Sequence, residues 1–275
     1  MTIADPQILI RHCDGFEEYE ACVRLQIEIW GYDLRDTVPT RELVVVRRIG
    51  GQIVGAFDLA KSSQPQGDAG GLIGFAMSMP GIREGEAYLH SHMLAVLPEY
   101  RNRGIGRKLK MAQREDALAR GIRKMEWTFD PLVTKNAYLN LVRLGVVVHS
   151  YSPNFYGVFS SRLQGGLPTD RLHAEWWMDS PRVQTALSGG TVELPEIQET
   201  IVVLGEILRW KEFESDFARA EAAQREIRSR FQAAFSRGLT VVGFTRQAGT
   251  ESAEALWNKS EDTDGVYLLA NWREA

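Results

Sequence analysis

Only two cysteines occur in 275 residues, Cys13 and Cys22, and their spacing is neither Cys-x-x-Cys nor part of a Cys/His set. The expectation is two free thiols of a reducing compartment, one at a strand end and one in a helix. Long hydrophobic runs are missing: no stretch approaches the roughly 18 unbroken apolar residues that a membrane helix needs. The segment Met1-Thr2-Ile3-Ala4-Asp5 lacks a basic region followed by an apolar run. Both absences predict a cytoplasmic protein without a membrane partner. A positive charge excess is also missing. The formal charge is -4, and phosphate-backbone binding needs a net basic surface, so nucleic acid is not expected as the main partner and any basic patch must be local. There is no tandem repeat and no low-complexity segment. What remains, 44% hydrophobic and 25% charged residues, is ordinary globular composition, long enough for one large domain or two smaller ones.

Periodicity predicts a strand at Ile8-Leu9-Ile10 and a helix from Phe16 to Ile29, with apolar residues at Tyr19, Cys22, Val23 and Ile27, ending at Trp30-Gly31. Leu43 to Val46 and Ile53 to Leu59, separated by Gly50-Gly51, read as a hairpin; Gly71 to Met79 and Ala87 to Val96 extend it to an antiparallel meander. After Pro98 the pattern becomes helix from Gly104 to about Arg120, strand from Lys124 to Phe129, helix from Thr134 to Leu144 and strand from Val146 to His149. That alternation requires parallel pairing and a crossover. Turn-rich sequence follows at Gly165 to Thr169 and Ser188-Gly189-Gly190. Beyond it come Ile201 to Leu208, a charged helix from about Glu214 to Arg237, and strands at Leu239 to Phe244 and Val266 to Ala270. These last hundred or so residues read as a second α+β lobe.

The most informative stretch runs from Leu94 to Leu109, from a strand through a turn into a helix. Gly104 and Gly106 let the backbone bend so that successive N–H groups converge, and the helix N-terminus behind them adds about half a positive charge. Arg101, Arg103, Arg107, Lys108 and Lys110 crowd the turn, with Glu99 as the nearby acid. Cations at a helix N-terminus oppose its dipole, by roughly 0.3–1 kcal/mol each when exposed. A multiply charged phosphate ligand makes the arrangement sensible; a solvated basic face after a Gly-rich turn is the other reading.

The pattern Arg101-x-x-Gly104-x-Gly106, preceded by Ala95-Val96, resembles the signature of the GNAT acyltransferases over roughly residues 8 to 160. The resemblance implies an α/β (α+β) GNAT fold, with a mixed central sheet flanked by helices and here a C-terminal α+β extension. It implies acetyl-CoA as cosubstrate, with the backbone of Leu94 and Val96 on the pantetheine arm and Arg101, Asn102, Arg103, Gly104, Ile105, Gly106 and Arg107 at the pyrophosphate. The corresponding domains are 1–165, binding acetyl-CoA, and 166–275, a lobe packed on it. Through Trp127-Thr128-Phe129-Asp130-Pro131-Leu132 and Asn136-Ala137 the chain also resembles predicted GNAT-type acetyltransferases without an assigned substrate.

Before the turn, Glu86, Tyr88, His90 and His92 alternate with apolar or small residues, which places them on one strand face. An amine must lose a proton to attack a thioester, and a histidine can accept it. His90 lies where GNAT histone acetyltransferases are similar in placing a glutamate base, and His-x-His-x-Leu-Ala-Val resembles the relay of arylalkylamine N-acetyltransferases. A packed histidine with satisfied nitrogens remains an alternative, as does a two-His, one-carboxylate metal set with Glu86; no metal is expected.

The family's second motif pairs an Asn, here Asn136, with a Tyr four residues before Leu-Gly that protonates the leaving thiolate. Leu141 stands at that tyrosine position before Leu144-Gly145. Tyr138, Tyr151 and Tyr156 are the substitutes, with Tyr156 taken as the candidate acid and a core aromatic as the competing role for each. Trp30, Tyr32, Asp33 and Asp36 follow the first helix, where an acceptor wall for a cationic amine would lie, or else an exposed polar loop. The expected activity is acetyl transfer to a primary amine of a small molecule or peptide by direct attack; the alternative is a CoA-binding module without chemistry.

Overall fold

The computed structural model describes residues 7–61, 71–157, 165–246 and 264–273. The chain divides into two compact units, the first ending at Met125 and the second beginning at Glu126.

In the first unit the elements are β1 (Ile8–His12), α1 (Gly15–Trp30), α2 (Thr40–Arg48), β2 (Gln52–Asp58), β3 (Leu72–Arg83), β4 (Glu86–Val96) and α3 (Ile105–Ala119). The four strands pair antiparallel in chain order. In α1, Tyr19, Cys22, Leu25 and Gln26 are buried at helical spacing, and Gly31 at φ 67 ends the helix by returning its N–H to the Ile27 carbonyl. In α3, Ile105, Leu109, Gln113 and Ala117 recur every four residues on the buried side. Leu109 is fully buried, which contributes about 1.5–3 kcal/mol.

The expected strand at Leu43 to Val46 is instead part of α2. Leu43 and Val46, three apart, are buried while Val44 and Val45 are exposed, a helical rather than an alternating pattern. Glu42 in the first turn and Arg47 and Arg48 in the last complement the helix dipole. Gly51 then takes the chain into β2 so tightly that an added Cβ would lie 2.5 Å from the Ser78 carbonyl. The two glycines therefore join a helix to a strand, not two strands.

The second unit carries β5 (Lys124–Phe129), α4 (Thr134–Ala137) continued by a π-helical turn at Tyr138–Arg143, β6 (Val147–Ser152), β7 (Arg171–Trp177), α5 (Pro181–Leu187), β8 (Glu199–Val203), α6 (Ile207–Trp210), α7 (Phe217–Ser236), β9 (Thr240–Arg246) and β10 (Gly265–Ala270). Its strand order is β5-β7-β6-β9-β10-β8. β6 pairs antiparallel with both β7 and β9, so this sheet draws strands from both sides of residue 165. Trp176 is buried against Trp127, ring centroids 5.8 Å apart, with its indole N–H donated to the Leu144 carbonyl at 2.8 Å. Tyr267 packs on Phe231 and Phe244 and donates to the Pro131 carbonyl at 2.8 Å. Asp170, whose side chain is fully buried, accepts two hydrogen bonds from Arg228, at 2.8 and 3.0 Å.

Candidate functional site

The glycine-containing turn read from the sequence lies between β4 and α3. Pro98–Tyr100 makes one 3-10 turn, then Asn102 and Gly104 take positive φ, 64° and 73°. Arg103 between them does not. Backbone that alternates handedness over successive residues turns consecutive N–H groups into one concavity, a nest for anions. α3 opens at Ile105 with no side chain capping it, so the amides of its first turn have no partner within the helix. The first intrahelical bond is from Lys108 N–H to the Gly104 carbonyl, 3.0 Å.

Two anchors fix this turn. Ile105 is 2% exposed, in one apolar cluster with Leu97, Tyr100 and Leu109. Buried Tyr100 donates its hydroxyl to Asp58 Oδ2 at 2.6 Å, tying the turn to the end of β2. Burial, then the Asp58 bond, raises the phenol above its ordinary range, so the hydroxyl stays a donor. Nothing in residue spacing announces this clasp, since its partners are 42 apart in sequence.

Arg101, Asn102, Arg103, Gly104 and Lys108 are exposed around the nest, and Arg107 is half-buried. The Arg101 guanidinium returns to the Val96 carbonyl at 3.2 Å, and Arg103 lies 5.3 Å from the Tyr100 ring centre. Lys110 departs from expectation. It is 4% exposed and donates to Ser91 Oγ on β4 at 2.7 Å, away from the nest. Burial alone drives its ammonium well below the usual lysine range, so its charge does not join the cluster at the turn.

The two glycines differ. A Cβ on Gly104 would meet no heavy atom within 4 Å, and one on Gly106 would touch Leu94 Cδ2 at an ordinary 3.5 Å. Gly104 answers to its backbone conformation. Packing within the chain does not require Gly106.

On β4, His90 and His92 are half-buried with ring centroids 6.2 Å apart, as expected of a pair on one face. The ladder behind them is irregular: Ser78 opposes Ser91 and Met77 opposes Met93, which leaves His92 as the extra residue of a β-bulge. Ser91 faces α3, through Lys110 and Gln113, and Leu94 also faces it at Gly106. Positions 91 and 94 share a face only because the bulge breaks the alternation. Burial lowers the His92 pKa below the ordinary value, so near neutral pH the ring is uncharged. Glu86 is exposed at the start of β4. Among the described residues, no group of three His, Cys, Asp or Glu side chains could hold a metal ion, so the set with Glu86 does not form.

After α1, Trp30 and Tyr32 stack with centroids 5.2 Å apart, and Trp30 meets Phe75 edge-on at 6.4 Å. Asp33 pairs with Arg35 at 3.6 Å on the exposed loop. The thiols Cys13 and Cys22 are 1% and 0% exposed with sulfurs 3.9 Å apart.

In the second unit, Asn136 is exposed on α4, and Leu141 is buried in the π-helical turn. Of the three substitute tyrosines, Tyr151 donates to Asp170 at 2.6 Å; burial and that bond push its phenol far up. Tyr138 is buried beneath Arg246. Tyr156 is 38% exposed, its hydroxyl 3.0 Å from that of Thr128. It is the accessible one of the three.

Residues 40–141 match the family model of the acetyltransferase (GNAT) domain. That stretch is similar to the GNAT acetyltransferases. The α/β class expected from the sequence accords with it, and so does acetyl transfer as the general activity. No curated protein matches the sequence. Similar solved structures include the NatC complex bound to Gag peptide and CoA, 18% identical, covering 62% of this chain and 98% of that one, TM-score 0.47. Another is the ribosomal-protein-S18-alanine N-acetyltransferase from Escherichia coli, 14% identical, covering 62% and 93%, TM-score 0.44. A GNAT family acetyltransferase from Elizabethkingia anophelis with acetyl-CoA bound is 17% identical, covering 62% and 97%, TM-score 0.42. Likeness at that level identifies no acceptor. Among the described residues, no helix is long and apolar enough to cross a membrane.

Proposed function

We propose that this chain moves the acetyl group of acetyl-CoA onto a primary amine by direct attack. The observation that carries the reading is the turn at Asn102 to Gly104. An alternating-handed backbone, an uncapped helix N-terminus and exposed Arg101, Arg103 and Lys108 meet in one place, the chemistry of a pyrophosphate cradle. In this reading Leu94 and Val96 line the pantetheine arm, residues 101 to 107 hold the pyrophosphate, and Asn136 completes the CoA contacts. His90 takes the proton of the attacking ammonium, directly or through water, with His92 supporting it. The amine nitrogen then bonds to the thioester carbon, the carbon–sulfur bond breaks, and Tyr156 is the candidate to protonate the thiolate, its phenolate regaining a proton through solvent as the new amide nitrogen loses its second one. Burial of both cysteine thiols supports transfer without an acyl-cysteine. Aromatic Trp30 and Tyr32 beside Asp33 and Asp36 suit a cationic amine with an apolar body. Residues 1–165 carry cofactor binding, and 166–275 complete the functional unit in the cytoplasm.

The burial of Leu141 where the family has a tyrosine favours a second reading, a module that binds CoA without chemistry. Thiol release from acetyl-CoA across polyamines, arylalkylamines, aminoglycosides, amino acids and peptides separates the two. Acetyl-CoA at a hundred times its Kd should stabilise the protein by about 2.7 kcal/mol in either case; no thermal shift at millimolar acetyl-CoA removes both. His90→Ala should lower turnover by roughly 10²–10⁴ with acetyl-CoA affinity retained. Full turnover in both His90→Ala and His92→Ala variants would make the histidines structural.

A further inference from the structure

Beneath β4, on the side facing α3, lies a chain of buried polar side chains that the proposed chemistry does not use. Lys110 Nζ donates to Ser91 Oγ at 2.7 Å, and Ser91 Oγ donates to Gln113 Oε1 at 3.1 Å. Gln52 Nε2 on β2 donates to the Gln113 carbonyl at 2.8 Å and to Asp116 Oδ2 at 2.7 Å, while Ser78 Oγ on β3 donates to Gln52 Oε1 at 2.7 Å. Asp116 also meets Arg120 at 2.7 Å and His12 at 3.4 Å. Gln52, Ser78, Ser91, Lys110 and Gln113 are all at most 5% exposed.

Apolar side chains would fill this space without the desolvation that a buried lysine and two glutamines suffer. The best-attested use of such groups is to fix register. Here they sit where register is at stake, because Ser78 and Ser91 are the cross-strand pair next to the bulge. Each hydroxyl is held from a different element, Ser78 by β2 and Ser91 by α3. A one-residue slip of β4 would swing Ser91 to the opposite face and bring His92 under α3, leaving Lys110, Gln113 and Gln52 without these partners.

We propose that Ser91, Lys110, Gln113, Gln52 and Ser78 are positioning residues that lock the β4 register and so present His90 and His92 on the face opposite α3. The consequence for turnover rests on the histidine reading above; the geometric claim does not.

The test uses the full chain with Ser91→Ala, Lys110→Met and the two combined. Each single variant strands buried partners. The double variant removes both ends of the Lys110–Ser91 bond and strands Gln113 Oε1 but not Lys110, so it should lose less stability than Ser91→Ala. In Ser91→Ala and in the double variant, amide exchange across Glu86 to Val96 should quicken by about tenfold relative to β2, and the His90 and His92 ring-proton resonances should move. On an accepted amine, kcat should fall roughly 10- to 100-fold, as misplacement of a catalytic group does. KM for acetyl-CoA should hold within about twofold, since Tyr100–Asp58 anchors the nest separately. The double variant should regain melting temperature without regaining kcat or slow exchange.

Wild-type exchange and ring resonances in the double variant, or kcat returning with melting temperature, would overturn the proposal and leave the chain a structural filler. If no amine is acetylated, or His90→Ala retains turnover, the catalytic reading fails while exchange and ring resonances still decide the register claim.

Discussion

Replacing each glycine of the nest by alanine separates what the backbone needs from what a ligand needs. Gly104 sits at φ 73 with open space where a Cβ would go, so Gly104→Ala incurs no clash but carries the left-handed strain of an L-residue, about 1–2 kcal/mol. In a unit of this size each kcal/mol lowers Tm by on the order of 2–4 °C. Gly104→Asn should be milder, because asparagine tolerates that conformation, as Asn102 does at φ 64. Gly106 lies in the first turn of α3 outside the positive-φ set, and its Cβ would make only an ordinary contact with Leu94. Gly106→Ala should therefore stabilise the fold, by about 0.4–1 kcal/mol. If pyrophosphate lies against these amides, all three substitutions intrude on it, and acetyl-CoA affinity measured by calorimetry should fall about tenfold or more, equivalent to 1.4 kcal/mol. The decisive variant is Gly106→Ala, for which stability and affinity should move in opposite directions. Unchanged acetyl-CoA affinity in Gly106→Ala and Gly104→Asn would refute the cradle, leaving the glycines as backbone devices only.

The depressed Lys110 ammonium gives a signed pH dependence. The unfolded chain binds more protons between the folded and ordinary lysine values, so stability should rise with pH through that window, and wild type should gain on Lys110→Met as pH rises toward the ordinary lysine value in denaturant titrations; parallel curves would contradict this. Cys22, raised first by its bond to Cys13 and then by burial, should resist thiol reagents together with Cys13 until denaturant is added, and rapid native labelling would show that the site opens. Ending the chain at Gly165 deletes β7 and β9, the antiparallel neighbours of β6; the fragment should be insoluble or lack cooperative unfolding, and a folded, active fragment would restrict the functional unit to residues 1–165.

Local sequence announced the nest because its requirements are local: glycine at positive φ, cations around a helix start, a strand before and a helix after. Most strands and the three long helices, α1, α3 and α7, of the described residues were legible from alternation and spacing for the same reason. Val44-Val45-Val46 misled because β-branching suggests a strand, whereas the burial of Leu43 and Val46 is a choice made by tertiary packing. β7 and α5 carried usable signals, alternating Leu172, Ala174 and Trp176 in the former and Ser180 before Pro181 in the latter, within a stretch that turn residues on both sides obscured. The inward turn of Lys110 and the buried chain from Ser78 to Asp116 were not legible, since they join four elements whose proximity no local pattern encodes.

The bulge at His92 also has a meaning in the language of insertions. Ser91 with Ser78 and Met93 with Met77 are consecutive rungs, and the faces taken by Ser91 and Leu94 are those of a strand in which residue 92 is not counted. β4 is thus an unbroken strand with one residue added, and its reading frame shifts at the histidine. Deleting His92 should therefore leave the rungs of Ser91 with Ser78 and Met93 with Met77 intact and join them without the bulge.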